Sequence, residues 1–263
     1  MAISIGTAGW SIPRDIGHQF PEEGSGLARY ASRFHIAEIN SSFHRPHRIS
    51  TWARWRDSVP DDFRFSVKLP KQITHVRKLV DCGEELNQFT GEAQTLAPKL
   101  AVLLVQLPPK LAFDGRVAQE FFARIRDLTP AQIACEPRHA SWFDDDAANV
   151  LREFAIARVA ADPAICDAAA RPSAWGDLSY WRLHGSPVVY RSSYADRIDH
   201  YAAQLAQESA IGKDVWCILD NTASSAGAAD ALLLIEALRS DQRPKASHRS
   251  EIGQVGTAPK RSG

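Results

Sequence analysis

The chain has 263 residues, and its 31 Lys and Arg residues balance 31 Asp and Glu residues, so the formal net charge is zero. This balance argues against a globally basic nucleic-acid-binding protein, although it leaves room for a local basic patch. Hydrophobic residues make up 44% of the chain and charged residues 24%. These values exclude general disorder, and a chain of this length can bury a full apolar core.

The cysteines and the first residues bear on location. Cys82, Cys135, Cys166 and Cys217 are dispersed without a CxxC pair, which is typical of a reduced, intracellular protein. The opening MAISIGTAGW passes directly into a strand pattern, without the basic and apolar regions of a signal peptide. No apolar run approaches the roughly 20 residues that a membrane span needs. We therefore expect a cytoplasmic protein without membrane contact, and the sequence leaves its oligomeric state open.

Short β-like runs alternate with amphipathic, helix-like segments up to Arg239. The predicted strands are 3–7, 36–40, 63–69, 101–107, 132–136, 158–162, 179–185 and 215–221. The predicted helices lie near 26–34, 49–57, 84–96, 116–127, 144–154, 196–207 and 226–238. Asp114 and Asp196 stand where N-caps are expected. The connection 163–177 has no helical periodicity, so we expect one regular helix of the series to be missing.

This alternation of strands and helices predicts an α/β fold, a TIM-type (β/α)8 barrel, over a single domain spanning residues 1–239. An open, doubly wound sheet is the alternative arrangement of the same elements. The segment 240–263 is polar, contains Gly, Pro and Ser, and lacks periodicity, so we predict a disordered tail.

Polar side chains share one face of several predicted strands. Successive side chains of a strand alternate between faces, and the inward face of a barrel can carry chemistry. Lys68 is separated in this way from its apolar neighbours, and so are Arg182 and His184 in YWRLHG and Glu38 and Asn40 in EIN. With Gln106, Glu136 and Asp162, which end other strands, they form a predicted ring at the carboxyl end of the barrel.

The loops that follow these strands add further polar and aromatic side chains. They are Trp10, Phe43, His44, Arg45, His75, Arg138, His139, Trp142, Tyr190, Tyr194 and Asn221. Active sites of TIM-type barrels lie at this end. The aromatic residues suit stacking on a sugar or a base, and they equally suit a hydrophobic lid. The alternative for the charged residues is that they form buried ion pairs that fill the barrel.

The candidate catalytic residues are Glu38, Glu136, His139 and His184. Two carboxylates facing one cavity can divide the acid and base roles, and histidines can transfer protons. The candidate substrate-binding residues are Trp10, Asn40, Arg45, Lys68, His75, Gln106, Arg138, Trp142, Arg182 and Asn221. The basic residues among them either neutralise the carboxylates or hold anionic oxygens, and their slight excess favours an anionic ligand.

Cofactor motifs are weak in this sequence. His and carboxylate residues are present, but HxH and HExxH spacings are absent, so a metal is possible without being favoured, and any cofactor stays unknown. The turn GTAGW (6–10) and the segment DNTASSAG (220–227) are candidate anion-binding backbones. A tight turn and a helix cap, respectively, explain them as well.

Seven motifs occur in the order of a known family. They are GTAGW, EINSSFHR, FSVKLPKQITH, LLVQLPP, CEPRHASW, YWRLHGSP and LDNTASSAGAADA. Together they resemble the YecE-like family, domain-of-unknown-function family 72, over about residues 3–238. The resemblance implies a TIM-barrel fold and no established reaction. The shared polar positions that it implies are Glu38, Asn40, Arg45, Lys68, His75, Gln106, Glu136, Arg138, His139, Arg182, His184 and Asn221.

The sequence departs from the family pattern at His44, where Tyr is usual, and at Pro137, where an aromatic residue is usual. The family's barrel looks similar to xylose isomerase and endonuclease IV-like barrels, an analogy of fold that suggests sugar-phosphate or DNA chemistry. The first functional hypothesis is an enzyme with hydrolase-like or isomerase-like acid–base chemistry on an anionic substrate, a sugar phosphate or nucleic acid. The alternative is a barrel that binds a nucleotide, nucleic acid or metabolite without catalysis, and a third is a structural protein.

Overall fold

The computed structural model of the chain describes residues 3–241. Its strands are β1 (Ile3–Ala8), β2 (Ile36–Ile39), β3 (Arg64–Lys68), β4 (Leu100–Gln106), β5 (Gln132–Glu136), β6 (Ile156–Arg158), β7 (Ala160–Asp162), β8 (Ser173–Ala174), β9 (Leu178–Leu183) and β10 (Asp214–Leu219). Its α-helices are α1 (Gly26–Ala31), α2 (Ile49–Asp57), α3 (Gly83–Ala93), α4 (Gly115–Leu128), α5 (Asp145–Glu153), α6 (Ile198–Ala210) and α7 (Ala226–Asp241). Each predicted strand and helix therefore has a counterpart, with ends shifted by a few residues.

The strands form one mostly parallel sheet in the order β7-β9-β10-β1-β2-β3-β4-β5-β6-β8. Strands β6 and β7 are two halves of the predicted sixth strand, separated by Val159 alone. The first half pairs with β5 and the second half with β9, so this segment joins the two ends of the sheet. The prediction of a TIM-type barrel is confirmed.

The sixth connection contains no α-helix, as the sequence predicts. It holds a short 3-10 helix at Asp167–Ala170 and the strand β8, which pairs antiparallel with β6. The predicted N-cap Asp114 is confirmed, because its carboxylate accepts a hydrogen bond from Val117 N at 3.0 Å. The predicted N-cap Asp196 is wrong. The chain turns earlier, at a 3-10 helix over Ala195–Arg197, and Asp196 lies inside that turn.

Two apolar regions fill the fold. One lies between the strands and the surrounding helices. The other fills the lower half of the barrel with inward-facing side chains, among them Leu104, Tyr180, Trp216 and Ile218. The rings of Tyr180 and Trp216 stack there with centroids 6.2 Å apart. Because this lower half is packed with apolar groups, the polar residues of the same faces gather at the carboxyl end of the strands.

The turn GTAGW is built by close packing. A Cβ atom on Gly6 would lie 2.4 Å from the carbonyl oxygen of Ile36, so glycine is needed where β1 approaches β2. Gly9 adopts a positive φ of 79°. The amides of Thr7 and Gly9 donate hydrogen bonds to Tyr30 Oη and to Glu38 O, each at 2.8 Å. These amides are therefore committed to the fold, and the turn interpretation accounts for the motif.

The last helix extends to Asp241, which includes the first two residues of the predicted tail. The remainder of that tail lies outside the described residues. No helix within residues 3–241 combines the length and the apolar character that crossing a membrane would require.

Candidate active site

The centre of the site is Arg182, which β9 directs into the barrel and which has a relative exposure of 0%. Its guanidinium binds both oxygens of Glu38, with distances of 3.1 Å from Nε and 2.7 Å from Nη2. Nη1 donates to Glu136 Oε2 at 2.5 Å, and Nη2 donates to Asp220 Oδ2 at 2.9 Å. The planar donors of arginine suit this geometry, which gathers carboxylates from β2, β5 and the end of β10 around one cation.

His184 lies beside Arg182 and is held between two of the same carboxylates. Its Nδ1 is 2.9 Å from Asp220 Oδ2, and its Nε2 is 3.2 Å from Glu136 Oε1. Burial disfavours the charged imidazole, but Glu136 and Asp220 outweigh burial and raise the pKa of His184. A carboxylate oxygen lies near each ring nitrogen of His184, and this arrangement favours the imidazolium form.

Glu136 and Asp220 are ionised at neutral pH. Burial alone would raise the pKa of Glu136, but Arg182, His184 and Arg138 hold it well below its usual range. Arg138 Nε reaches Glu136 Oε1 at 2.9 Å. The pKa of Asp220 is likewise lowered by Arg182 and His184 against the effect of burial. We refer to Arg182, Glu38, Glu136, Asp220 and His184 as the Arg182 cluster.

Glu38 occupies the floor of the cluster. It has a relative exposure of 0% and lies beneath the guanidinium of Arg182. The Tyr180 hydroxyl donates a hydrogen bond to Glu38 Oε2 at 2.9 Å and lies 2.8 Å from Ser66 Oγ. The interpretation of buried ion pairs that fill the barrel therefore describes Glu38 and Arg182 well.

A cavity of about 480 Å³, the mouth cavity, opens above the cluster. It is lined by Asn40, Phe43, His44, Lys68, Lys71, His75, Gln106, Pro109, Arg138, Tyr190 and Asp220. Three of these side chains are permanently or largely cationic, namely Lys68, Lys71 and Arg138, and the only carboxylate among these lining residues is Asp220. The cavity wall therefore carries an excess of positive charge.

Lys68, the last residue of β3, is half-buried in this cavity, and its Nζ lies 4.2 Å from the centroid of the Phe43 ring. Within the described part of the chain it forms no ion pair, since the nearby carboxylates are bound to Arg182. Burial and the charge of Arg182 lower the pKa of Lys68 from 10.5 to about 8.

His75 contacts the edge of the same Phe43 ring, with ring centroids 4.9 Å apart and an interplanar angle of 78°. Burial, followed by the charges of Lys68, Lys71 and Arg138, lowers the pKa of His75. The imidazole is therefore neutral at neutral pH and can accept a proton.

Two further cavities adjoin the mouth cavity. A side pocket of about 220 Å³ shares Pro109 and Arg138 with it and is lined by Glu136, His184 and apolar side chains such as Ile165. On the other side, a groove of about 400 Å³ shares Phe43, His44 and Lys71 with the mouth cavity. The predicted binding residue Arg45 lines this groove and does not line the mouth cavity.

The structure does not bring Trp142 or Asn221 to the cavity. Trp142 has a relative exposure of 1%, packs against Phe113 in the apolar core and donates its indole N–H to Leu111 O at 3.0 Å. Asn221 is fully buried and donates to Asp230 Oδ2 at 2.6 Å. Both side chains are held by the fold, and neither lines the mouth cavity.

His139, Asp162 and Trp10 also lie away from the mouth cavity. His139 caps the short 3-10 helix at Ala140–Phe143, where its Nδ1 accepts a hydrogen bond from the backbone of Ser141 at 3.3 Å. Asp162 faces outward, because its neighbour Ala161 is the residue aligned with the inward-facing Arg182 of β9. The Asp162 carboxylate pairs with Arg197 at 3.2 Å. Trp10 packs edge-on against Trp55, with ring centroids 5.2 Å apart.

Asp220 and Lys71 line the mouth cavity without being among the site residues predicted from the sequence. Asp220 could have been found by the same alternation that identified the others, since Trp216 and Ile218 face the barrel interior and Asp220 is next on that face. Lys71 follows β3 in a loop without periodicity, and no sequence pattern indicates its direction.

Among the described residues, no group of three or more His, Cys, Asp or Glu side chains has an arrangement that could hold a metal ion. In the Arg182 cluster the carboxylates face a guanidinium instead. The arrangement places cationic side chains in the cavity wall and holds the His184 imidazole between two carboxylates.

The fold and this cluster define a TIM-type barrel with a polar, cation-rich cavity at the carboxyl end of its strands. A family model described as "Protein of unknown function DUF72" matches residues 4–252, and the chain belongs to this family. The resemblance to the YecE-like family that the ordered motifs predict is confirmed.

Relatives and solved structures agree with this assignment. The chain is 31% identical to the UPF0759 protein YecE of Escherichia coli K12 over 143 residues, covering 54% of this chain and 50% of that protein. It is 29% identical to the UPF0759 protein YunF of Bacillus subtilis over 149 residues, covering 54% and 52%. The chain thus spans about half the length of the curated relatives that it matches.

Two crystal structures of DUF72 family proteins share the fold. The one from Enterococcus faecalis has a TM-score of 0.74 at 20% identity, covering 90% of this chain and 96% of that chain. The one from Thermotoga maritima has a TM-score of 0.72 at 24% identity, covering 91% and 100%. At these identities the likeness shows the barrel fold and nothing about a ligand.

Proposed function

We propose that the protein is an enzyme that binds a small anionic substrate, carrying a phosphate or a carboxylate, in the mouth cavity and acts on it by acid–base chemistry. The observation that carries this proposal is the uncompensated positive charge of the cavity wall. Lys68 and Lys71 face the cavity without an ion-pair partner among residues 3–241, and Arg138 lines it as well.

The charge balance explains why an anion is favoured. The carboxylates of the Arg182 cluster are already matched by Arg182, His184 and Arg138. Lys68 and Lys71 have no carboxylate of the cluster left to pair with, so a bound anion would neutralise their charge. A unit charge at about 4 Å from an ammonium gains on the order of 4 kcal/mol at the effective dielectric constant of a protein surface.

The acid–base roles follow from the protonation states. The imidazolium of His184 lines the side pocket and can donate a proton, and the neutral His75 can accept one. Glu136 is a poor base because its pKa lies well below neutrality, so its role is to keep His184 charged and in position. Glu38, buried beneath Arg182, positions that guanidinium. These assignments replace the acid and base roles expected for Glu38 and Glu136 with positioning roles.

Titration calorimetry with inorganic phosphate, a sugar phosphate, a mononucleotide and a short single-stranded oligonucleotide tests the proposal. We expect saturable phosphate binding that weakens at least tenfold, or about 1.4 kcal/mol, in Lys68→Met and in Lys71→Met. Lys213→Met is the matched control, because Lys213 pairs with Glu208 just before β10, at the opposite end of the barrel. Absence of binding, or an equal loss in the control, contradicts the proposal.

The same titrations address the alternative ligands and roles. Binding of the oligonucleotide in preference to the small phosphates, with a steep dependence on salt, would support nucleic-acid recognition. Saturable binding without turnover of any bound compound would support the binding barrel without catalysis. A cytoplasmic location stays a prediction, supported by four cysteines that are all free of disulfides.

A further inference from the structure

We propose that Lys68 is a nucleophile that forms an imine with the carbonyl group of an anionic aldehyde or ketone bound in the mouth cavity. This inference rests on the proposed function, because the anionic group must first be held beside Lys71 and Arg138. It deepens that function by naming the substrate class, a carbonyl compound that also carries a phosphate or a carboxylate.

The position of Lys68 is suited to a nucleophile. It ends β3 at the carboxyl side of the barrel, and its side chain lines the cavity in which a ligand would lie. A lysine that serves a structural purpose normally pairs with a carboxylate or donates to carbonyl oxygens, as Lys99 does with Arg56 O and Val59 O. Lys68 has neither kind of partner within the described residues, and its Nζ rests on the Phe43 ring instead.

The surroundings of Lys68 favour the neutral, nucleophilic amine. A lysine is activated when it is removed from water or placed near another cation, and both conditions hold here through burial and Arg182. Glu38, Glu136 and Asp220 act in the opposite direction with smaller effects. With a pKa of about 8, roughly a tenth of Lys68 is neutral at pH 7, about 300-fold more than for an ordinary lysine.

The covalent step balances without a further reactant. The nitrogen lone pair of the neutral Lys68 amine attacks the carbonyl carbon, a C–N bond forms, and the C=O π electrons move to the oxygen. His75, which shares the Phe43 ring with Lys68, accepts one proton from the nitrogen and passes it to this oxygen, which gives a carbinolamine. Transfer of the second nitrogen proton to the hydroxyl group by the same route allows the C–O bond to break, and water leaves as the nitrogen lone pair forms the C=N bond. The products are the imine and one water molecule.

Reductive trapping with pyridoxal 5′-phosphate, an aldehyde that carries a phosphate, tests the inference on the full chain. The protein is treated with substoichiometric reagent and borohydride, and the modified lysines are located by peptide mass spectrometry. We expect Lys68 to be labelled at least tenfold faster than Lys110, an exposed lysine that serves as internal control. Inorganic phosphate should slow this labelling, and pyridoxal without the phosphate should label Lys68 more slowly.

Lys68→Arg provides the matched variant, because it keeps the positive charge and removes the nucleophilic amine. We expect it to lose the specific adduct, whereas Lys213→Met, at the opposite end of the barrel, should keep it. Labelling of Lys68 no faster than Lys110 in wild-type protein overturns the inference, and the proposed function survives if phosphate still binds. Failure of phosphate to bind overturns the proposed function itself. The comparison of labelling rates between Lys68 and Lys110 in wild-type protein tests the inference even if Lys68→Arg does not fold.

Discussion

Replacing Arg182 by methionine should destabilise the protein more than any other single charge removal in the barrel. The guanidinium is fully buried and donates to Glu38, Glu136 and Asp220. Methionine has a similar volume without the charge, so the variant leaves these carboxylates in an apolar interior without their shared partner. Breaking a buried ion pair by removing one member costs about 3–5 kcal/mol, and we expect a value at the upper end of that range.

The penalty should depend on pH. In the wild type, Glu136 and Asp220 have lowered pKa values, so their stabilising contribution is present above their unfolded pKa and is lost as pH falls through the folded pKa. Without Arg182, the pKa values of these carboxyl groups rise because burial is less opposed. The difference in unfolding free energy between wild type and Arg182→Met is therefore largest near neutrality and shrinks on acidification.

Urea unfolding followed by tryptophan fluorescence at about pH 7 and about pH 5 measures both quantities. Arg116→Met is the control, since its ion pair with Glu120 is exposed at the surface, and its midpoint should barely move. The double variant Glu38→Gln with Arg182→Met should be less destabilised than the sum of its single variants. A loss below about 1 kcal/mol, or one that is equal at both pH values, would refute this account of the Arg182 cluster.

Two further predictions concern the frame of the barrel. Gly6→Ala should lower the unfolding free energy by about 1–3 kcal/mol, because the new Cβ would meet Ile36 O at 2.4 Å. Gly17→Ala is the control in the same thermal melts, since no atom of the described residues lies within 4 Å of its Cβ. Asp114→Ala should lower the unfolding free energy by about 1 kcal/mol because a helix cap is lost. Asp196→Ala should not lose a cap, since Asp196 does not cap the helix. Equal midpoints for either pair would contradict the corresponding argument.

The fold could be predicted from the sequence because the patterns that indicate its strands and helices are local. Alternation of side chains along β3 and β9 places Lys68 and Arg182 on the inner face, as the sequence predicts. The break at Val159 was not accessible, since the sixth strand changes partner there and no residue pattern marks the change. This break does not displace the strands and helices on either side of it, so the prediction of a barrel is correct.

The site was accessible only in part, because alternation predicts a face and not a contact. It places Glu38 on the inner face, but the burial of Glu38 under Arg182 depends on packing across the barrel. The sequence predicts Trp142 and Asn221 on loops at the carboxyl end of the strands, whereas the structure holds both in the fold through Leu111 O and Asp230. Loop residues such as these have no periodic constraint, so their direction requires coordinates.

The change of partner within residues 156–162 gives the barrel a seam. Each half of that segment is three residues long, so few backbone hydrogen bonds hold β5 to one side and β9 to the other. The bonds from Arg182 and His184 to Glu136 pass directly over this seam, from β9 to β5. The charges that shape the cavity floor therefore also join β9 to β5 across this segment, and a mutation that alters one of these two roles will alter the other.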